Sequence, residues 1–154
     1  MIPPMALDTD RLAELVAQKY QLLQSVQELV LRQGELIHKG EMTALLEVLG
    51  VKQRLLEEIQ AVEQQLAPFR QQAPQSRRWR NELLRQQTAA LVERCQQLLA
   101  EILQQEKHCE TQLLRRREQI VGEMRNLCTS GQMLLAYQAA EPAPQSELDL
   151  VSEQ

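Results

Sequence analysis

The sequence predicts an all-α protein: an antiparallel helical hairpin followed by a long third helix, in a three- or four-helix coiled-coil-like bundle. Two compositional facts point there, since aromatic residues make up only 3% of the 154 residues and only five are glycine. Good helix formers such as Leu, Glu, Gln and Arg take their place. The third observation is that apolar residues recur at spacings of three, four and seven, which is typical of helices with one apolar stripe.

Helix 1 is predicted over residues 9–39. Asp8, Thr9 and Asp10 offer side-chain oxygens that can cap a helix N-terminus. Lys39 and Gly40 predict its end, because a basic last turn followed by glycine is a common helix stop. Its apolar residues form two rows spaced by seven: Leu15, Leu22, Leu29 and Leu36, and Val16, Leu23, Val30 and Ile37.

Helix 2 is predicted over residues 41–67. So short a connection to helix 1 indicates an antiparallel hairpin. Pro68 and Pro74 predict the end of helix 2 and a linker, since proline cannot donate the backbone hydrogen bond that a helix interior needs. Lys52 falls on the apolar row of Leu45, Ile59 and Leu66, and Lys19 interrupts a row of helix 1. These lysines are expected either to extend to the surface or to set the pairing register.

Helix 3 is predicted over residues 76–139, beginning near Ser76. The whole of residues 8–140 is predicted to form a single helical-bundle domain. Residues 1–7 and 141–154 are expected to be disordered, the latter because proline, serine and acidic residues dominate them.

The unequal lengths of the helices carry the main functional inference. Helices 1 and 2 would each be about 45 Å long, whereas helix 3 would reach about 90 Å at roughly 1.5 Å per residue. Only half of helix 3 can therefore pack on the hairpin, yet its second half keeps a full apolar stripe. That stripe predicts a partner-binding site, formed by Leu113, Leu114, Ile120, Val121, Met124, Leu127, Cys128, Leu134 and Leu135.

Three ways of covering this stripe stay open on the sequence alone. Helix 3 can break near Gly122 and fold back into a four-helix bundle, pair with a second copy in a structural coiled-coil homodimer, or bind another protein. An exposed stripe of this size would otherwise favour aggregation.

No enzyme chemistry is expected. The sequence has no nucleophile elbow, phosphate loop or HExxH motif, so we expect no catalytic, cofactor or metal residues. The spacing of Cys95, His108 and Cys109 fits no usual zinc pattern. A net charge of −4 and only two short arginine clusters disfavour nucleic acid. An odd cysteine count, no signal peptide and no apolar run of spanning length indicate a cytoplasmic protein without membrane insertion.

The hairpin resembles the FlgN family of flagellar export chaperones. The matching stretches are QGELIHKGEMTAL at residues 33–45 and KQRLLEEI at residues 52–59. Chain length, the long third helix and the Pro/Ser/Glu tail are also similar. The resemblance covers most of the chain, about residues 8–140.

The resemblance implies a cytoplasmic chaperone of type III export in flagellum assembly. Its partners would be the C-terminal helices of hook–filament junction (hook-associated) proteins of the FlgK and FlgL kind, and an FlhA-like export gate protein. The stripe would bind the substrate, and Tyr137 is the candidate for docking at the gate, with Tyr20 as the other tyrosine. A chaperone of another type III secretion substrate, such as the FliT class, is the alternative within this interpretation.

Overall fold

Three α-helices make up almost all of the computed structural model: α1 (Asp8–Lys39), α2 (Met42–Arg70) and α3 (Glu82–Tyr137). A single turn of 3-10 helix, Pro74–Ser76, lies in the linker. The structure describes residues 8–137, except for the side chains of residues 130, 132, 133, 136 and 137. The all-α prediction is confirmed over these residues, whereas the expected disorder of residues 1–7 and 141–154 lies outside them.

The turn between α1 and α2 is closed by glycine in the left-handed region. Gly40 has a φ of 76°, which a residue with a Cβ adopts only at a steric cost. The Gly40 N–H donates to the Ile37 carbonyl at 3.1 Å and the Glu41 N–H to the Leu36 carbonyl at 3.0 Å. This pair of hydrogen bonds satisfies the last carbonyls of α1 and turns the chain straight into α2, as the sequence predicted.

Contacts divide the chain into two compact units, Met1–Gln112 and Leu113–Gln154. The first unit holds α1, α2 and the first part of α3, and the second holds the rest of α3. The helix α3 runs without a break from the first unit into the second. This division therefore does not test the single domain predicted over residues 8–140, which stays a prediction.

In the first unit the helices run up, down and up. The Gln27 side chain donates to Glu101 at 2.8 Å, and Cys109 Sγ lies 3.8 Å from the Val30 carbonyl oxygen, so α3 runs parallel to α1. Two apolar clusters fill the interior. The larger takes Val26 and Val30 from α1, Val48 from α2 and Ile102 from α3. The smaller lies towards the linker and comprises Leu12, Leu15, Val16, Val62 and Leu66.

The start of α3 differs from the predicted start at Ser76. Residues 77–81 are not helical, and α3 begins at Glu82. The side chain of Asn81 accepts a hydrogen bond from the Leu84 N–H at 2.7 Å, which is the geometry of an N-cap. The Ser76 hydroxyl instead donates to the Ala73 carbonyl inside the linker, so it is not available as a cap.

The end of α2 also differs from the prediction. The helix was expected to stop at residue 67, but it includes Pro68 and ends at Arg70. Phe69 packs against the smaller apolar cluster, which favours one further turn. Pro68 removes one backbone donor from the last turn, and the N–H groups of the residues after it can still bond within the helix.

None of the helices within residues 8–137 combines the length and apolarity that crossing a membrane requires.

Candidate functional site

The candidate site is an apolar face on the part of α3 that belongs to the second unit. We call it the C-terminal apolar face; it comprises Leu113, Leu114, Ile120, Val121, Met124, Leu127, Cys128, Leu134 and Leu135. Spacings of three, four and seven place these residues on one side of a helix. The structure forms a continuous helix over all nine positions, so it brings the predicted residues together on one face.

Every residue of this face is exposed in the single chain. Leu127 retains 72% of its accessible surface and Leu134 retains 66%. Earlier in the same helix the corresponding stripe is buried, with Ile102 at 5% and Cys109 at 1%. A contiguous exposed apolar surface of this extent usually marks an interaction site.

The face lies on an unbroken helix. The fold-back near Gly122 that would have made a four-helix bundle is not seen, because α3 passes through both Gly122 and Gly131. A Cβ built on either glycine meets no described atom within 4 Å. Neither glycine is therefore required by a close approach of another segment within the described part of the chain.

The borders of the face carry more positive than negative charge. Residues 113–137 contain four arginines against two glutamates, although the whole chain has a net charge of −4. Arg117 lies seven residues before Met124 and thus within the apolar stripe. A shallow hollow beside the helix is lined by Leu114, Val121 and Gly122, and its charged residues are Arg117, Arg125 and Glu118, two cations against one carboxylate. This composition favours a partner helix that has acidic residues next to its own apolar stripe.

Tyr137 is the last residue of α3, but its side chain lies outside the described residues. Its role in gate docking therefore stays a prediction. Tyr20, the other tyrosine, packs against the larger apolar cluster of the first unit, where it contributes to the core.

The cysteines and histidines do not form a site together. Cys95 and Cys109 are buried, and His108 is exposed on the same helix. Burial raises the pKa of both buried thiols, with Glu106 adding to the effect at Cys109, so they act as small apolar side chains. Within residues 8–137 no group of three or more His, Cys, Asp or Glu side chains is arranged to hold a metal ion.

The arginine cluster before α3 makes contacts within the first unit. Arg80 forms a salt bridge of 2.6 Å with Asp10, and Arg77 donates a hydrogen bond to the Phe69 carbonyl. Trp79 packs on the smaller apolar cluster. These contacts hold the linker against the start of α1 and the end of α2.

A polar node connects the three helices, and only its lysine stands out in the sequence. Lys52 of α2 lies 2.7 Å from Glu106 of α3 and 2.9 Å from the Gln33 side-chain oxygen of α1. Gln33 is 4% exposed, so the node sits at the edge of the core. The lysine on an apolar row thus has a polar partner on each of the other two helices, and its role in setting their register stays a prediction. Glu106 is not recognisable from the sequence, because its partner is 54 residues away.

No family model matches this chain, and no curated protein or solved structure is detectably similar to it. The resemblance of residues 33–45 and 52–59 to flagellar chaperones therefore stays a prediction from the sequence.

Proposed function

We propose that this protein binds amphipathic helices of partner proteins through the C-terminal apolar face and thereby keeps those partners from assembling too early. One observation carries the proposal: a face of nine apolar residues is exposed on a well-formed helix. A partner helix that lays its own apolar stripe along this face buries both surfaces at once. While bound, that partner helix is unavailable for polymerisation.

The more specific form of the proposal is a cytoplasmic export chaperone of the FlgN type. Its substrates would be the C-terminal helices of hook–filament junction proteins, which it would release at an export gate protein. The support is the resemblance of residues 33–45 and 52–59 together with the position of the exposed face on the third helix. We infer no catalytic step, since holding and releasing a helix requires only reversible burial.

The test compares two leucine substitutions of similar exposure. Leu127→Ser replaces a leucine at the centre of the face that is 72% exposed. The matched control, Leu46→Ser, replaces a leucine of α2 that is 69% exposed. Burying one leucine contributes about 1.5–3 kcal/mol. Leu127→Ser should therefore weaken binding of a junction-protein C-terminal helix about 10- to 100-fold, at roughly 1.4 kcal/mol per tenfold change. Leu46→Ser should bind like the unaltered chain.

Isothermal titration calorimetry with the synthetic helix measures both affinities, and far-UV circular dichroism checks that both variants keep their helices. Failure of the unaltered chain to bind any junction-protein helix would remove the flagellar form of the proposal. Equal weakening by the two substitutions would show that the C-terminal apolar face is not the binding site.

A second candidate is a structural protein that homodimerises through this face. The rows Leu113–Ile120–Leu127–Leu134 and Leu114–Val121–Cys128–Leu135 have the spacing of seven that coiled-coil seams use. Light scattering separates the two candidates. A stable dimer that Leu127→Ser converts to a monomer would favour the seam, whereas a monomer that captures the partner helix favours the chaperone.

A further inference from the structure

The first unit contains a cavity that the proposed chaperone activity does not use. It has a volume of about 450 Å³ and opens where the linker meets the start of α1, the end of α2 and the start of α3. This volume falls in the range of small-molecule sites, about 300–1,000 Å³. Its walls are mostly apolar, and the larger side chains among them are Leu12, Val16, Leu66, Phe69, Trp79 and Val92.

Every charged side chain that lines the cavity is a cation: Lys19, Arg70, Arg77 and Arg85. None of the described carboxylates lines it. Lys19 and Arg70 share the single carboxylate of Glu63, and Arg85 pairs with Glu82 in an exposed contact between neighbouring turns. The opening of an apolar cavity thus has an excess of positive charge.

Arg77 differs from the other three cations. One of its terminal nitrogens donates to the Phe69 carbonyl, but its Nε is buried and has no hydrogen-bond partner among the described residues. Buried donors in folded proteins are rarely left unpaired. The unpaired Nε–H belongs to a permanently charged group, and hydrogen bonds from such a donor to a carboxylate are among the strongest in proteins.

We propose that this cavity binds a small aliphatic carboxylate, with the carboxylate on Arg77 and the hydrocarbon chain between Trp79 and the apolar side chains of α1, α2 and α3. The apolar walls supply most of the contact area, and the cationic opening selects the charged end. The site belongs to the first unit, so it does not depend on the C-terminal apolar face or on the function proposed for that face.

Trp79 makes the proposal directly measurable, because it is the sole tryptophan of the chain and it lines the cavity. The full-length protein is titrated with decanoate below its micelle concentration while tryptophan emission is recorded. Decanol, which has the same chain length and no charge, is the matched ligand. We expect a saturable change in emission with decanoate and at least tenfold weaker binding of decanol.

Two variants locate the site, and one serves as the control. Arg77→Gln removes the charge, and Ala89→Phe fills the cavity while keeping all four cations. Each should weaken decanoate binding at least tenfold. Arg78→Gln changes the exposed neighbouring arginine, which does not line the cavity, and should leave the affinity unchanged. Circular dichroism confirms that each variant is folded.

The proposal is overturned by any of three results: no saturable change with decanoate, equal affinities for decanoate and decanol, or an unchanged affinity in both Arg77→Gln and Ala89→Phe. If Arg77→Gln does not fold, the Ala89→Phe result decides. Binding of a leucine-rich acidic peptide in the absence of decanoate binding would also overturn it, and would assign the cavity to polypeptide instead.

Discussion

At the scale of single residues, Glu63 of α2 shows how one carboxylate joins two helices. It forms salt bridges with Lys19 of α1 and with Arg70 of its own helix, and the charges of Lys19 and Glu63 both act on Cys95 of α3. Burial raises the pKa of Glu63, but the hydrogen bonds and charges of Lys19 and Arg70 together outweigh burial. The pKa therefore falls below its ordinary value of 4.5.

This direction predicts how stability depends on pH. A carboxylate whose pKa is lowered by folding stabilises the folded state above its unfolded pKa, and that contribution disappears as pH falls through the folded value. Glu63→Gln should thus be less stable than the unaltered chain at pH 7. The difference in free energy of unfolding should begin to shrink near pH 4.5 and vanish below the folded pKa.

Urea unfolding of both proteins across a series of pH values measures this difference. Glu57→Gln, which alters an exposed carboxylate on the same helix, is the control for loss of surface charge. A Glu63→Gln deficit that stayed constant from pH 7 to pH 3 would contradict the predicted role of the ionised carboxylate.

At the scale of elements, the start of α3 depends on one side chain. Asn81 caps the helix through its bond to the Leu84 N–H, whereas Ser76 bonds within the linker. Replacing an asparagine N-cap by alanine costs about 0.5–2 kcal/mol. Asn81→Ala should lower the free energy of unfolding by that amount, measured by urea denaturation, and Ser76→Ala should cost clearly less. A larger loss in free energy of unfolding for Ser76→Ala than for Asn81→Ala would contradict this assignment and indicate that the helix begins at Ser76.

The helices themselves could be predicted because the sequence features that specify them are local. The apolar stripe, the basic last turn and Gly40 lie within a few residues of the features they specify, and α1 ends at Lys39 as predicted. The start of α3 could not be predicted, because Ser76 and Asn81 are both good caps by residue type. The choice between them follows from distant contacts, such as the Thr9 hydroxyl donating to the Arg78 carbonyl.

The same distinction applies to the candidate sites. The C-terminal apolar face follows from periodicity within one helix, so all nine residues were predicted and all are found on one exposed face. The node of Lys52, Gln33 and Glu106 and the cavity beside Arg77 combine residues from three helices. No short-range pattern specifies such combinations, because they depend on how the helices pack.

At the scale of the whole molecule, every buried core residue among the residues that the structure describes lies in the first unit. The last of the buried core residues is Cys109, before the division at Gln112. A chain truncated after Gln112 keeps both apolar clusters and the Lys52–Glu106 pair. Its free energy of unfolding should thus differ from that of the full chain by less than about 1 kcal/mol, because distant regions contribute nearly independently.

Tryptophan emission during urea unfolding gives the midpoint for both chains, since Trp79 lies in the retained unit. Full-length protein carrying Leu127→Ser is the control, because its second unit is present but altered at one exposed leucine. Unfolding or aggregation of the truncated chain in the absence of urea would show that residues 113–154 are needed for the first unit to fold.

The up-down-up order of the helices also has a consequence for synthesis on the ribosome. Because α2 follows α1 after only two residues, the hairpin can close once Arg70 has emerged, and such sequence-local contacts form quickly. Its remaining partner, the stretch of α3 ending at Cys109, is synthesised 39 residues later, a delay of about 2–8 s at roughly 5–20 residues per second. For those seconds the nascent hairpin displays the side of Val26 and Val30 that α3 will later cover. The newly made chain therefore exposes, for a few seconds, an apolar helical surface of the kind that we propose it covers in its partners.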